Sequence, residues 1–216
     1  MKKSLLTLLL ACASLHAMQN DLKLVPFDRG YEAEVARVYQ ENFSHYGDTF
    51  SSALLKNYKI KIGLLDQKAM GVIIYKDVTI DGIRKRCIER FTVDKPYQRA
   101  NRHPTDRHYG TELMKIFENQ SGKEGVQVLY LDATGPDNKV AQNNISFYTS
   151  LNFKSEVYQH MTPLQAYARL GLTGLTMIKE LEPQPSCWSR LGIKTSSLKN
   201  CFQSSFCKSS NQINPF

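Results

Sequence analysis

No two of the chain's five cysteines form a Cys-x-x-Cys pair or any other metal-ligand spacing, which excludes zinc fingers and ribbons and leaves no metal cofactor to expect. No segment repeats, so a solenoid or array is excluded. The apolar run inside MKKSLLTLLLACASLHA is too short for a membrane-spanning helix, and no stable membrane span is expected. Neither a DNA-reading helix nor zinc-finger spacing accompanies the positive charge, which argues against nucleic acid as a partner. From Pro183 to the end there is no acidic residue at all.

What is present is an ordinary globular composition. Of 216 residues, 42% are hydrophobic and 22% charged, enough for one domain with a core of its own and a short appendage. The formal charge is +8. Loss of residues 1–17 would remove Lys2 and Lys3 and leave +6, a weak bias toward anionic ligands. Two lysines, a short apolar run and small residues ending at Ala17 have the layout of a secretory signal peptide, so an exported protein, periplasmic or secreted, is expected. Two alternatives stay open. Leu9-Leu10-Ala11-Cys12 resembles a bacterial lipobox with Cys12 as the lipidated residue, and a start at Met18 would leave a cytoplasmic chain. Cys87 falls in a predicted strand and reads as a small buried hydrophobe. Cys187, Cys201 and Cys207 lie in a basic, serine-containing tail, 183–216, where export would permit a disulfide whose pairing the sequence leaves open.

Along the chain, residues 22–26 read as a strand. Asp28 caps a helix whose apolar stripe is Tyr31, Val35, Val38 and Tyr39, ending near Phe43. Thr49 to Tyr58 reads as a second, shorter helix. Strands follow at Lys59–Leu65, Gly71–Thr79 and Arg84–Val93, the last two joined by the hairpin signal Asp81-Gly82. VQVLYLDA, 126–133, is apolar enough to predict burial on both faces. Ile145, Tyr148 and Leu151 stripe a helix. Residues 153–161 read as a strand, and Thr176–Leu181 as one that closes the sheet.

The most informative stretch runs from Cys87 to Phe117: a strand, a polar basic loop, one glycine and an amphipathic helix. Ile88, Phe91 and Val93 are strand formers, and Pro96 ends the run. Leu113, Ile116 and Phe117 then recur at helical spacing. Such a turn aims several backbone N–H groups, with the helix dipole behind them, at one anion.

In IERFTVDKPYQR, HYGTELMKIF and NNISFYTSLNF the chain resembles the GNAT superfamily of acyl-CoA-dependent N-acetyltransferases over residues 22–182. Ile88 to Val93 is similar to the family's fourth strand. His108-Tyr109-Gly110-Thr111 is similar to the end of its pyrophosphate loop, and Phe147 to Phe153 to its tyrosine-containing segment. The resemblance implies an α/β domain with a mixed, mostly antiparallel sheet of about six to seven strands flanked by about four helices. It implies acetyl-CoA as co-substrate and direct transfer to a primary amine of a small molecule or protein. The fourth strand would splay from the fifth and offer unpaired backbone groups around Phe91, Thr92 and Val93 to the pantetheine arm. His108, Tyr109, Gly110 and Thr111 would hold the pyrophosphate; Arg102 and Arg107, which the chain's longer loop adds, either reach the same phosphates or belong to a solvated loop. Glu89 would be the general base and Tyr148 the acid that protonates the leaving thiolate.

Structural readings stand beside these: Glu89 facing solvent or paired with Arg90 or Lys85, Tyr148 as core, Gly110 as a turn residue. The chain departs from the family pattern at His108, where glycine is usual, in the added segment ANRHPTDR, at Ala141 in place of an asparagine, and at Asn152 in place of a glycine. The leader favours a second function class, an exported GNAT-fold binding or interaction protein with weak catalysis, since acetyl-CoA is a cytoplasmic metabolite that an exported enzyme would lack.

Overall fold

Two tight turns set the register of the first half of the sheet. Asp66 and Gln67 (φ 51° and 63°) and Asp81 and Gly82 (φ 52° and 75°) take left-handed backbone at both central positions, the conformation that matches the twist of a two-residue hairpin. The computed structural model describes residues 22–44, 47, 49–98, 107–157, 160–170 and 174–182. Its elements are β1 (Lys23–Pro26), α1 (Glu32–Phe43, after a 3-10 turn at Arg29–Tyr31), α2 (Ser52–Asn57), β2 (Lys59–Leu65), β3 (Lys68–Ile80), β4 (Ile83–Val93, followed by a 3-10 turn at Lys95–Tyr97), α3 (Tyr109–Lys123), β5 (Val128–Thr134), α4 (Asn138–Ser150), β6 (Lys154–Ser155), α5 (Pro163–Leu170) and β7 (Gly174–Glu180). The seven strands lie in the order β1-β2-β3-β4-β5-β7-β6. All neighbours are antiparallel except β4 and β5, which α3 connects as a parallel βαβ unit.

Each face of the sheet has its own cluster. On the first, Leu113, Met114 and Phe117 of α3, Ile145 of α4 and Ala166 and Tyr167 of α5 pack on Ile73, Tyr75, Ile88, Val93, Leu129, Leu131, Leu175 and Met177. On the second, Val35, Val38 and Tyr39 of α1 cover Ile60, Ile62, Val72 and Ile74. Helix α3 sits close because Gly63 and Gly71 pair side by side beneath it. A Cβ on either would stand 2.7 Å from a methyl of Leu113.

A polar knot ties the C-terminal end of α3 to the sheet. Arg86 is fully buried. It donates to both oxygens of Asp77 (2.7 and 3.0 Å), to Ser121 Oγ (2.9 Å) and to Glu124 Oε2 (2.7 Å), and its guanidinium lies 4.3 Å from the Tyr75 ring centroid. Buried Lys61 donates to Glu124 Oε1 (2.8 Å) and Gln120 Oε1 (2.7 Å). Burial pushes the Asp77 and Glu124 carboxyls up, but hydrogen bonds from Arg86, Lys59 and Arg84 to the first, and from Lys61 and Arg86 to the second, outweigh it. Both end below the ordinary carboxylate range.

Several expectations are corrected. The strand expected over 153–161 is the two-residue β6, and a helix follows it that the periodicity does not predict, making five α-helices among the described residues. Its start is nevertheless written in the sequence: Thr162 and Gln165 form a reciprocal capping box, Thr162 N–H to Gln165 Oε1 at 3.0 Å and Gln165 N–H to Thr162 Oγ1 at 3.3 Å, with Pro163 at the first helical position. Strand β7 does not close the sheet; it inserts between β5 and β6. Strand β5 is not buried on both faces. Leu129, Leu131 and Ala133 are, whereas Tyr130 is half-buried and Asp132 and Thr134 are exposed, because α1 covers the second face of β2 and β3 but not of β5. Strand β3 begins at Lys68, three residues before the expected Gly71, and α2 is shorter than expected. The leader 1–17 with Cys12, the loop residues 99–106 with Arg102, and the tail 183–216 with its cysteines lie outside the described residues. No helix among the described residues is long and apolar enough to cross a membrane.

Candidate active site

Strand β4 keeps its two neighbours for different lengths. It pairs with β3 from Ile83 to Val93 but with β5 only from Lys85↔Val128 to Ile88↔Leu131. Beyond that point β5 runs on to Thr134, held by β7, and a fork opens between the strands. A β-bulge sits at the parting point. Tyr75 pairs with Ile88 and Ile74 with Arg90, so Glu89 is the extra residue.

The bulge reassigns the faces. Without it, strict alternation would put Cys87, Glu89, Phe91 and Val93 on one side. With it, Phe91 and Val93 join Ile88 against the first-face core, while Glu89 stays beside Cys87 on the second. The Asp94 N–H donates to Met70 O at 2.7 Å, so alternation turns the backbone groups of Thr92 toward β3 and those of Phe91 and Val93 into the fork. This corrects the expected set of unpaired groups in two ways: Thr92 is not among them, and Val93 O is taken by Gln98 Nε2 at 2.7 Å. Asp94 itself is clamped by Arg37 of α1 through two hydrogen bonds (3.1 and 2.7 Å), which fixes where the loop after β4 departs.

Aromatic rings line the first-face side of the fork. Phe91 stacks on Phe147 of α4 (centroids 5.8 Å apart, planes at 16°). Phe147 meets Tyr148 edge-on at 5.1 Å, Tyr148 meets Phe153 at 5.6 Å, and Tyr97 meets Tyr109 at 5.4 Å. Tyr148 is half-buried among these rings, and burial raises its phenol above the usual range. The asparagine on α4 that reaches β5 is Asn144, whose Nδ2 donates to Thr134 O at 2.6 Å. Ala141 is buried against Gly135. Asn152 ends the helix with φ 66°.

The N-terminus of α3 stands at the fork's edge. Its cap residue His108 has φ −86°, so the left-handed backbone that would suit a glycine is not needed there, and its side chain makes no capping bond. The N–H groups of Tyr109, Gly110 and Thr111 therefore have no intrahelical acceptor, as geometry requires at a helix start. A Cβ on Gly110 would meet Val93 at 3.6 Å and Phe147 at 3.8 Å, ordinary contacts, so packing does not require glycine there. Arg107 pairs with Glu112 in the first turn and lies 5.4 Å from the Tyr109 ring centroid, beside this N-terminus.

On the second face Glu89 is paired, but not with the expected Arg90 or Lys85. Lys76 Nζ of β3 lies 2.5 Å from its Oε1, Cys87 Sγ lies 3.4 Å from the same oxygen, and Arg90 donates to the Glu89 carbonyl (2.8 Å). Burial pushes the Cys87 thiol up to about 11, which leaves it an inert, protonated side chain at neutral pH. Tyr58 lies 5.8 Å from Lys76 Nζ and also lines a cavity of about 340 Å³ with Tyr39, Thr49, Ser51, Leu54 and Asn57, opening beside α2. Among the described residues, no group of three or more His, Cys, Asp or Glu side chains is arranged to hold a metal.

Sequence reasoning missed Lys76, Phe147, Tyr97 and the bulge. The bulge had a signal: Ile88 and Phe91 are both strand formers bound for the core but stand three residues apart, where a regular strand would space them by two. Lys76 had none, because its partner is set by the pairing of β3 with β4.

No protein-family model matches the sequence, and no curated protein matches it. Solved structures match its fold. Naa50 of Arabidopsis thaliana, in complex with the bisubstrate analogue CoA-Ac-MVNAL, aligns with a TM-score of 0.51 at 13% identity over 73% of this chain and 97% of its own. An aminoglycoside 6'-acetyltransferase type Ii aligns at 0.52 with 15% identity, covering 76% of this chain and 99% of its own. N-acetylglutamate synthase from Neisseria gonorrhoeae, complexed with coenzyme A and N-acetyl-glutamate, aligns at 0.52 with 15% identity over 75% of this chain and 35% of its own. At such identities the likeness is one of fold: the chain has the α/β fold of the GNAT acetyltransferases, as the resemblance in its sequence implied.

Proposed function

We propose that this chain is an N-acetyltransferase that moves an acetyl group from acetyl-CoA to a primary amine by direct attack of the amine on the thioester. The observation that carries the proposal is the fork: β4 leaves β5 at a bulge, backbone groups of Phe91 and Val93 turn into the gap, and a helix N-terminus whose cap residue His108 makes no side-chain cap bond stands at its edge. The pantetheine arm would lie along Phe91 and Val93. The pyrophosphate would take the N–H groups of Tyr109, Gly110 and Thr111, with Arg107 beside them. The solved structures of similar fold that contain coenzyme A or a CoA-linked analogue support this choice of co-substrate.

The two titratable groups act from opposite sides of the sheet. Glu89, on the second face, accepts the proton of the attacking ammonium. Tyr148, reached from the first face, is a neutral phenol at neutral pH, as an ordinary tyrosine is, and gives its proton to the departing thiolate. No acyl-enzyme is needed. The acceptor approaches on the second face, past Tyr58 and Lys76.

Calorimetric titration of the folded protein with acetyl-CoA should show micromolar binding; absence of binding would sink the enzyme reading and leave that of a binding module. The Tyr148→Phe change should then slow transfer roughly 10²-fold or more while leaving CoA affinity nearly unchanged. Equal losses in both would assign Tyr148 to packing.

A further inference from the structure

Lys76 is the cation that Glu89 holds. Its Nζ sits 2.5 Å from Glu89 Oε1 at the point where β4 leaves β5, on the face from which an acceptor amine would come. The position is built rather than incidental. Lys76 pairs with Cys87 across the two strands, Glu89 stands two residues on and so on the same face as Cys87, and the Tyr58 ring lies 5.8 Å from the ammonium. An ion pair this exposed contributes about 1 kcal/mol or less to stability, a weak structural reason for the arrangement. Chemically it is a primary amine, on a flexible stem and 43% exposed, in contact with the carboxylate that the reaction uses as base.

We propose that Lys76 is itself an acceptor: bound acetyl-CoA acetylates Lys76 Nζ within the same chain. The inference rests on the acetyltransferase reading above. In the step, the Lys76 ammonium passes a proton to Glu89 and the neutral Nζ attacks the thioester carbonyl carbon. A C–N bond forms, the C–S bond breaks, and the CoA thiolate leaves with the proton of Tyr148; the second proton of the attacking nitrogen returns to the Tyr148 phenolate through solvent, and Glu89 releases the first to water, so one proton is set free per acetyl group transferred. Lys76 becomes a neutral acetamide and Glu89 loses its counter-ion. A proximal base and nucleophile in one chain give the reaction a high effective concentration. The modification frees the Glu89 carboxylate for an external amine, so an acetylated chain should be the better catalyst.

The test is to incubate the purified full-length chain with acetyl-CoA alone and map acetylated lysines by peptide mass spectrometry, alongside the CoA titration. We expect Lys76 to be labelled at least tenfold faster than the average surface lysine, at a rate per chain unchanged on dilution. Glu89→Gln should slow labelling of Lys76 at least tenfold and leave the other lysines unaffected. Lys76→Arg, which keeps the charge and the contact with Tyr58, should abolish the label at this position without loss of CoA binding. CoA binding with Lys76 unlabelled, or labelling that spreads evenly over lysines and ignores Glu89→Gln, would overturn self-acetylation and leave the acetyltransferase reading standing. Absence of CoA binding would overturn both.

Discussion

The two ends of strand β4 are built on opposite principles. From Arg84 to Ile88 it is knitted to everything around it: β3 on one side, β5 on the other, and α3 through the buried guanidinium of Arg86. From Glu89 to Val93 it keeps only β3, and the edge toward β5 is open. The contrast shows how a sheet can carry an opening in its middle without fraying. A gap between central strands leaves backbone polar groups unsatisfied and exposes core, both costly. It persists because the same strand is pinned one residue away and because Phe91, Phe147 and Tyr148 stack across the gap's first face.

This comparison can be broken at either end. The largest effect is expected at the knot. Arg86→Met removes one partner from Asp77 and Glu124 and should cost about 3–5 kcal/mol, read as a lower midpoint in urea denaturation. Loss of much less than that would mean the knot is replaceable by hydrophobic packing. At the fork, deletion of Glu89 would restore regular alternation, since Ile88, Arg90 and Phe91 already occupy the faces a bulge-free strand requires. Stability should hold or rise, the Phe91 and Val93 amides should gain hydrogen-exchange protection, and CoA affinity should fall at least tenfold, about 1.4 kcal/mol. Unchanged exchange would show that the bulge does not hold the strands apart. The smallest effect is in acid. Asp77 and Glu124 have folded-state pKa values below their unfolded ones, so the stability they provide is fully present above about pH 5 and is lost as the pH falls below about 4. The loss by pH 3 should be on the order of 1 kcal/mol, kept small by solvent screening at half-exposed Glu124. Arg86→Met should flatten this dependence, because the carboxyls then lose the partner that lowers them.

Local chemistry made much of the fold legible. The Asp81-Gly82 turn, the stripe of α1 and the spacing of Leu113, Ile116 and Phe117 in α3 act within a few residues, and the structure has them where those patterns indicate. The region after Phe153 was harder. A strand-like composition gave way to a two-residue bridge and a helix because Thr162-Pro163 and the capping box with Gln165 override it. The site divides in the same way. Gly110 at a helix start and Glu89 in a strand can be seen in the chain. The partner of Glu89, the face of Phe91 and the stack on Phe147 depend on registers between segments far apart in sequence.

By itself the sequence determined the strands and helices up to Phe153 and the hairpin turn at Asp81-Gly82, because turn chemistry, capping and hydrophobic period are local properties, and its motifs carried the resemblance to the family whose fold the chain shares. Only the tertiary structure decided where β4 leaves β5, which residues the bulge at Glu89 turns to each face, and that Lys76 rather than Arg90 or Lys85 meets that carboxylate. The reason is the twofold period of a strand. One extra residue reverses the faces of everything beyond it, and whether that residue is accommodated as a bulge is settled by the neighbouring strand.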